Sequence, residues 1–296
     1  MKGPVEAPPE RRWRDLLRLA LEEDLGSGDV TSALVVPPER RGTAIVEARQ
    51  ALVVCGLDVA EAVFRALDEE VLFERLATDG DRVEAGKPLA RIHGRLAPLL
   101  AAERTALNFL MRLCGVATYT ARFVEAVAGT GAAIVDTRKT LPGWRALDKY
   151  ATAVGGARNH RVGLFDGILL KDNHVALAGG VALAVKTAIQ NAPANLRVQV
   201  EVESAGDALA AVEAGADFLL LDNQNPDQAR DIAVRLAGRA LLEISGGVTL
   251  ENVRAMAETG VQRISIGALT HSAPAADLAL EIAPDGEEHP AGGAAA

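Results

Sequence analysis

The segment RVQVEVESAGDALAAVEAGADFLLLDNQNPDQARDIAVRLAGRALLEISGG, residues 197–247, decides the fold of this chain. It contains three apolar runs of strand length, RVQVEVES, DFLLLDN and ALLEISGG, with helical patterns between them. Strands that are apolar along their whole length must be buried on both faces, as in a parallel sheet covered by helices. The segment therefore predicts repeated strand–helix units.

The same repeat continues on both sides of this segment. AAIVDTRK and GILLKDNH precede it, and RISIGAL follows it. The residues that mark the strand ends, at intervals of 32, 30, 21, 23 and 22 residues, are Lys139, Lys171, Glu201, Asp222, Ser245 and Gly267. In an α/β barrel, functional residues from different strands meet at the carboxyl ends, whereas an open doubly wound sheet binds its ligand at one switch point. Six units rather than eight predict an incomplete or smaller α/β barrel.

The first hundred or so residues have a different pattern. A helical pattern from Trp13 to Gly26 is followed by the strand-like segments GTAIVEARQALVV and PLARIHGRL, with a helix at Val59–Leu67 between them. We therefore predict an α+β unit with an antiparallel sheet at residues 13–116, the barrel at 117–272 and a C-terminal helix at 273–283. Pro-, Gly-, Ala- and Glu-rich composition predicts disorder in residues 1–12 and 284–296.

Composition excludes several classes of protein. Hydrophobic residues make up 49% and aromatic residues 3% of the 296 residues, which predicts an aliphatic core. The polar start MKGPVEAPPERRW and the absence of a run of roughly 18 apolar residues lead us to expect a cytoplasmic protein with no membrane segment. Cys55 and Cys114 provide neither a disulfide framework nor metal-ligand spacing, so we expect two partly buried free thiols. No GxGxxG fingerprint or P-loop follows a strand.

Positive charge is concentrated in one part of an acidic chain. The formal net charge is −9, yet residues 137–175 contain only three acids. The seven basic residues of that segment are Arg138, Lys139, Arg145, Lys149, Arg158, Arg161 and Lys171. Arginine and lysine bind carboxylates and phosphates, whereas a nucleic-acid-binding protein is more often basic over a broad face. The pattern predicts a small polyanionic ligand and no nucleic acid.

Three groups of residues are candidates for the site. The first is the basic cluster Arg138, Lys139, Arg158, His160, Arg161 and Lys171. The alternative interpretation of this cluster is a charged surface exposed to solvent. The second is Glu201 and Asp222, with Glu203 as a weaker candidate, whose carboxylate oxygens suit a divalent cation or ribose hydroxyls. The alternative is that these acids only neutralise nearby basic side chains. The third is Ser245, Gly246 and Gly247 with Gly267 and His271. The glycines, together with a helix that starts just beyond them, would bind a phosphate group. The alternative is that these glycines only form turns. Together they predict a phosphorylated sugar with a divalent cation, beside an aromatic or small polycarboxylate.

The blocks DTRKT, GGARNHR, LLKDNH, EVE, LLDN, ISGGV and SIGALTHS occur in this order and resemble the signature blocks of the quinolinate phosphoribosyltransferases. DLGSGDVTS and AERTALNFL resemble that family too, so the similarity covers residues 13–283. The resemblance implies a type II phosphoribosyltransferase with an N-terminal sandwich domain and a homodimer, or a higher oligomer, as the active form. The implied reaction is transfer of the 5-phosphoribosyl group from phosphoribosyl pyrophosphate to quinolinate with decarboxylation. Its products would be nicotinate mononucleotide, pyrophosphate and carbon dioxide, as in NAD biosynthesis.

The resemblance also implies a role for each candidate residue. Quinolinate carboxylates would be bound by Arg138, His160 and Arg161, with Arg104 from the neighbouring subunit. Lys139 and Lys171 would contact substrate or pyrophosphate, and Glu201 and Asp222 would hold ribose hydroxyls and Mg²⁺. The phosphate site would consist of Ser245, Gly246, Gly247 and Gly267, with His271 nearby and Arg49 reaching the phosphates of the partner. The chain departs from the pattern at Cys114, Leu141, Trp144 and Ala157.

Two alternatives stay open at this stage. One is a related type II transferase acting on nicotinate or another pyridine acid, although a second carboxylate would better explain so many bases. The other is a non-catalytic barrel that senses a sugar phosphate.

Overall fold

A computed structural model describes residues 5–287, and these residues form two units. The antiparallel unit consists of residues 5–121, 141–155 and 272–287, and the barrel unit of Arg122–Thr140 and Gly156–His271. The elements up to the first long helix are a 3₁₀ helix Glu10–Arg12, α1 Arg14–Leu25, α2 Val30–Val35, β1 Arg41–Ala48, β2 Leu52–Val53, α3 Leu57–Leu67, β3 Leu72–Arg75, β4 Arg82–Val83, β5 Pro88–Arg95 and α4 Leu96–Ala126. The remaining elements are β6 Ala133–Val135, α5 Arg145–Val154, β7 Ile168–Leu170, α6 Asp172–Leu177, α7 Val181–Asn191, β8 Val198–Val202, α8 Ala205–Glu213, β9 Phe218–Asp222, α9 Pro226–Leu236, β10 Leu241–Ser245, α10 Val253–Ala257, β11 Arg263–Ser265, α11 Ala268–His271 and β12 Leu278–Pro284.

The antiparallel unit is built on a sheet with the strand order β12-β1-β5-β3. Strand β1 alternates between fully buried and partly exposed residues, with Ala44, Val46 and Ala48 facing the core. This alternation is typical of a sheet with one covered face. The predicted α+β unit with an antiparallel sheet is therefore confirmed.

The predicted C-terminal helix over residues 273–283 is wrong. The segment Leu278–Pro284 is instead strand β12, which pairs antiparallel with β1 from Ala48 opposite Leu278 to Gly42 opposite Pro284. Its short mixed sequence fits a helix or a strand, and the open edge of β1 decides between them because it satisfies the backbone hydrogen bonds of the segment.

The ends of the chain also differ from the prediction of disorder. Pro284 belongs to β12, and Glu10–Arg12 form a 3₁₀ helix beside Trp13, whose indole Nε1 donates a 3.0 Å hydrogen bond to the carbonyl of Pro8. Trp13 is only 6% exposed, so its burial in the core orders the residues next to it. Residues 1–4 and 288–296 of the two predicted tails lie outside the described part of the chain.

The predicted boundary between residues 116 and 117 falls inside helix α4, and the two units divide at Ala121 and Arg122. Helix α5 also belongs to the antiparallel unit, because Leu147, Tyr150 and Ala151 lie in its hydrophobic core. A continuous helical pattern contains no turn to mark such a division, and only packing shows where α5 belongs.

Within the described residues, the barrel unit contains six parallel strands in the order β6-β11-β10-β9-β8-β7. Strands β6 and β7 form the two edges, which confirms the predicted incomplete barrel. The sheet buries aliphatic side chains completely at Val200, Leu219, Leu221, Ile244 and Ile264. None of the helices in residues 5–287 has the length and apolar character that crossing a membrane requires.

Candidate active site

A cleft of about 440 Å³ opens at the carboxyl ends of the barrel strands. Its lining residues are Thr137, Arg138, Lys139, His160, Arg161, Leu169, Lys171, Glu201, Leu220, Asp222, Asn223, Glu243, Ser245, Gly246 and Ser265. The cleft thus brings together members of all three groups that the sequence singled out: the bases, the acids and the glycine turn.

Strand register explains why these side chains meet. Glu201 lies beside Leu220 and Leu220 beside Glu243, while Asp222 lies beside Ser245 in the next layer. Because alternate residues of a strand point to the same side, residues in register on neighbouring strands form layers inside the barrel. The polar residues at the strand ends therefore share one surface.

The loop that carries His160 is anchored by Asp136, which is fully buried. Asp136 Oδ1 accepts a 2.7 Å hydrogen bond from the His160 backbone N–H, and Oδ2 accepts one of 2.7 Å from Asn159 Nδ2. The Arg158 backbone N–H also donates to the carbonyl of Ile134 in β6 at 2.8 Å. These bonds attach the loop to the end of β6.

Hydrogen bonds fix the orientation of the His160 ring. Its Nδ1 accepts a 2.8 Å hydrogen bond from the Arg161 N–H, which places the proton of the neutral ring on Nε2. Nε2 lies 3.1 Å from Gln199 Oε1 and 3.5 Å from Glu243 Oε1, and the Glu243 side chain is completely buried. The ring therefore connects the interior of the barrel with the backbone of Arg161.

Two guanidinium groups face the same cleft. Arg161 Nη1 donates a 3.0 Å hydrogen bond to the carbonyl of Gly167, which fixes the position of the guanidinium. Burial lowers the pKa of Arg161, and the positive charge of Arg138 lowers it further. Arginine stays charged in spite of such shifts, so the pair offers two forks suited to carboxylates.

On the other side of the cleft, a lysine lies beside an acid. Lys171 Nζ is 3.6 Å from Glu201 Oε2, and the Glu201 side chain is only 11% exposed. Burial raises the pKa of Glu201, the negative charges of Asp222 and Asp172 raise it as well, and the attraction of Lys171 opposes them. Glu201 and Asp222 are thus close enough to interact.

The turn after β10 requires glycine. Gly246 has φ +91°, and a Cβ there would overlap Asn223 Oδ1. Asn223 is itself left-handed, with φ +52°, and its amide donates a 2.7 Å hydrogen bond to Asp222 Oδ2. The prediction of a helix start just beyond this turn is wrong, since α10 begins only at Val253.

Gly267 and His271 flank the cleft rather than line it. A Cβ on Gly267 would lie 2.7 Å from Lys139 Cδ and 3.2 Å from His271 Nε2. Gly267 therefore leaves room for the Lys139 side chain. Gly247, with φ +63°, is exposed and is also absent from the lining.

Four other predicted residues are not among those that line the cleft. Arg158 and Glu203 are exposed, and Glu203 lines an adjoining smaller cleft with Asp207 and Glu201. Arg49 and Arg104 belong to the antiparallel unit. There, Arg49 Nη2 is 2.7 Å from Glu281 Oε1, and the Arg104 side chain is 59% exposed.

Sequence reasoning missed Asp136, Gln199, Asn223 and Glu243. Glu243 lies two residues before Ser245, and Gln199 lies two residues before Glu201, so strand alternation places each pair on one side. A charged or amide residue in the middle of an apolar strand is a signal that could have found both.

Comparisons with known proteins identify the family to which this chain belongs. The family model "Quinolinate phosphoribosyl transferase, N-terminal domain" matches residues 29–114, and the "C-terminal domain" model matches residues 116–281. The chain is 39% identical to a probable carboxylating nicotinate-nucleotide pyrophosphorylase of Bacillus subtilis over 91% of this chain and 93% of the relative. It is 43% identical to the carboxylating nicotinate-nucleotide pyrophosphorylase of Mycobacterium leprae over 91% of this chain and 96% of the relative.

A solved structure has the same architecture. The structure of NadC from Streptococcus pyogenes superposes with a TM-score of 0.90 at 37% identity, covering 94% of this chain and 99% of that chain. Sequence and fold agree over nearly the full length, and this chain is accordingly a member of the quinolinate phosphoribosyltransferase family.

Proposed function

We propose that the cleft of the barrel unit transfers the 5-phosphoribosyl group from phosphoribosyl pyrophosphate to quinolinate with decarboxylation. The observation that carries this assignment is the pair Arg138 and Arg161 in one cleft with Glu201 and Asp222. Two guanidiniums match the two carboxylates of quinolinate, and the acids match ribose hydroxyls. The relatives named above as carboxylating nicotinate-nucleotide pyrophosphorylases support the same reaction.

In this proposal the ring nitrogen of quinolinate attacks C1 of the sugar as pyrophosphate departs. Arg138, His160 and Arg161 orient the ring, and Lys139 and Lys171 bind the departing pyrophosphate. The transition state resembles an oxocarbenium ion, so positioning and charge stabilisation supply most of the rate. The pyridinium then accepts the electron pair of the breaking C–C bond, carbon dioxide leaves, and the ring carbon takes up a proton.

The carboxylates of Glu201 and Asp222 fit a magnesium ion that arrives with the substrate. Mg²⁺ is usually held by one or two carboxylates together with substrate phosphates rather than by a complete protein cage. Within the described residues, no group of three or more His, Cys, Asp or Glu side chains could form such a cage. When bound, the ion would neutralise charge on the pyrophosphate.

We also propose a homodimer in which Arg104 and Arg49 act in the site of the partner subunit. The support is the family membership shown above, since the N-terminal domain model of the family covers both residues. Arg104→Ala and Lys139→Ala homodimers should each be nearly inactive, whereas a mixture of the two should regain activity from hybrid dimers with one intact site. No recovery after subunit exchange would contradict a shared site. A cytoplasmic location stays a prediction from sequence.

The reaction is tested by release of carbon dioxide from carboxyl-labelled quinolinate, with phosphoribosyl pyrophosphate and Mg²⁺. Release should require both substrates and should fall strongly in Lys139→Ala with an unchanged circular dichroism spectrum. Pyrophosphate formation with nicotinate alone would move the assignment to a related transferase. Tight sugar-phosphate binding without turnover, unaffected by loss of the Lys139 and Lys171 ammonium groups, would indicate a sensor.

A further inference from the structure

The backbone of Lys139 is held on both sides by threonine hydroxyls. The Lys139 N–H donates a 3.0 Å hydrogen bond to Thr137 Oγ1 in its own loop. The Lys139 carbonyl accepts a 2.7 Å hydrogen bond from Thr270 Oγ1, which comes from helix α11. Thr270 is completely buried, so its hydroxyl depends on acceptors within the protein. Lys139 follows β6 and Thr270 follows β11, which is the neighbour of β6 in the sheet.

The Thr270 hydroxyl has a single proton, and the carbonyls of Lys139 and Gly267 both lie within reach of it. The Gly267 carbonyl lies farther away, at 3.2 Å, and already accepts backbone N–H groups of Thr270 at 3.1 Å and of His271 at 3.2 Å. The Lys139 carbonyl is therefore the better acceptor, and the proton of the hydroxyl points to it.

The same turn also contacts the Lys139 side chain. Gly267 immediately precedes α11, and a Cβ at this position would meet Lys139 Cδ at 2.7 Å. The Lys139 side chain thus passes over a glycine, which leaves it space. The Lys139 carbonyl accepts its hydrogen bond from Thr270, three residues after that glycine. Backbone and side chain of Lys139 are both located by one short stretch, residues 267–270.

We propose that Thr270 is a positioning residue that acts through Lys139, holding its backbone so that the ammonium group reaches the pyrophosphate of the substrate. The inference rests on the proposed function of Lys139. Without the hydroxyl, the Lys139 carbonyl loses this donor and the loop after β6 can shift. A shift of about 1 Å in a positioned group can reduce the rate about a hundredfold.

The test compares Thr270→Val with Thr270→Ser. Valine keeps the shape of the side chain and removes the donor, whereas serine keeps the donor. We expect kcat/KM for phosphoribosyl pyrophosphate to fall roughly ten- to a hundredfold in Thr270→Val and to stay within about threefold of wild type in Thr270→Ser. KM for quinolinate should change little, because Lys139 acts at the pyrophosphate.

Thr259→Val is the matched control. Thr259 is also buried, and its hydroxyl donates a 2.8 Å hydrogen bond to the carbonyl of Met256, away from the cleft. It should lose stability to a similar degree while keeping its activity. If Thr270→Val does not fold, Thr137→Val removes the acceptor at the other side of Lys139 and should give the same kinetic loss.

A double-mutant cycle with Lys139→Ala separates the inference from the proposed function. If Thr270 acts through Lys139, Thr270→Val should reduce the activity of the Lys139→Ala enzyme by less than about twofold. Full additivity, or wild-type kinetics in Thr270→Val, would overturn the positioning role. Wild-type activity of Lys139→Ala itself would instead contradict the proposed function of Lys139.

Discussion

Asp136 accepts a 2.7 Å hydrogen bond from the backbone N–H of His160, although the two residues are 24 positions apart in the chain. A second bond of 2.7 Å comes from Asn159, and the Asp136 side chain is completely buried. The acid therefore connects the end of β6 to the loop that places His160 and Arg161 in the cleft.

Replacing Asp136 with alanine should destabilise the protein and impair the site together. The partly buried backbone N–H of His160 would lose its acceptor, and so would the more exposed amide of Asn159, which corresponds to about 1–3 kcal/mol in the free energy of unfolding. Urea denaturation measures the loss, and KM for quinolinate should rise because the loop carries Arg161. Asp136→Asn keeps one acceptor oxygen and should be less damaged. Equal stability of Asp136→Ala and wild type would contradict this anchoring role.

The raised pKa of Glu201 predicts that its charge destabilises the fold. A carboxyl group whose pKa is higher in the folded protein binds its proton more tightly there than in the unfolded chain. Its contribution to stability is therefore greatest at low pH and is lost as the pH rises through the folded pKa. Since burial is the main cause of the shift, Glu201→Gln should be more stable than wild type at pH 7 and inactive.

Urea denaturation of both proteins at several pH values checks this prediction. The advantage of Glu201→Gln should shrink as the pH falls through the raised pKa of Glu201, and it should be gone below the ordinary glutamate range. A constant difference at all pH values would mean that packing, not ionisation, accounts for it.

Gly246→Ala should harm the site more than a glycine replacement with comparable backbone strain elsewhere. Gly246 and Gly238 both have positive φ, +91° and +78°, so alanine at either position costs about 1 kcal/mol in the backbone. A Cβ at 238 meets nothing within 4 Å, whereas one at 246 overlaps the Asn223 amide that bonds to Asp222. Gly246→Ala should therefore raise KM for phosphoribosyl pyrophosphate at least about tenfold, while Gly238→Ala retains wild-type kinetics. Similar kinetics in the two variants would show that the contact with Asn223 is unimportant.

The two thiols should be inert in the native protein. Cys55 and Cys114 are free and completely buried, which makes them more buried than the sequence suggested. Burial raises the pKa of Cys114 to about 12 and also raises that of Cys55, so little thiolate forms near neutral pH. A thiol-reactive dye at pH 8 should label neither residue until a denaturant is added. Rapid labelling of the folded protein would contradict the packing around these residues.

Much of the fold could be predicted from local pattern. Six apolar runs, each short and each followed by polar residues or glycine, correspond to the six parallel strands. Because parallel strands end at the same edge, the residue types at their ends were sufficient to predict that Lys171, Glu201, Asp222 and Ser245 share one cleft.

The segments that the sequence could not assign are those whose structure depends on distant partners. Residues 278–284 fit more than one pattern, and pairing with β1, more than 200 positions earlier, makes them a strand. The contacts of Asp136 with His160 and of Thr270 with Lys139 likewise join residues far apart in the chain.

The sequence by itself determined the repeated strand–helix units, the cationic segment and the chemical types of group at the rim, because these follow from local composition and from the period of buried residues. Only the tertiary structure decided which side chains line the cleft and which residues hold them in place. Hydrogen bonds and steric contacts depend on distances of a few ångströms between segments, and a linear pattern does not contain those distances.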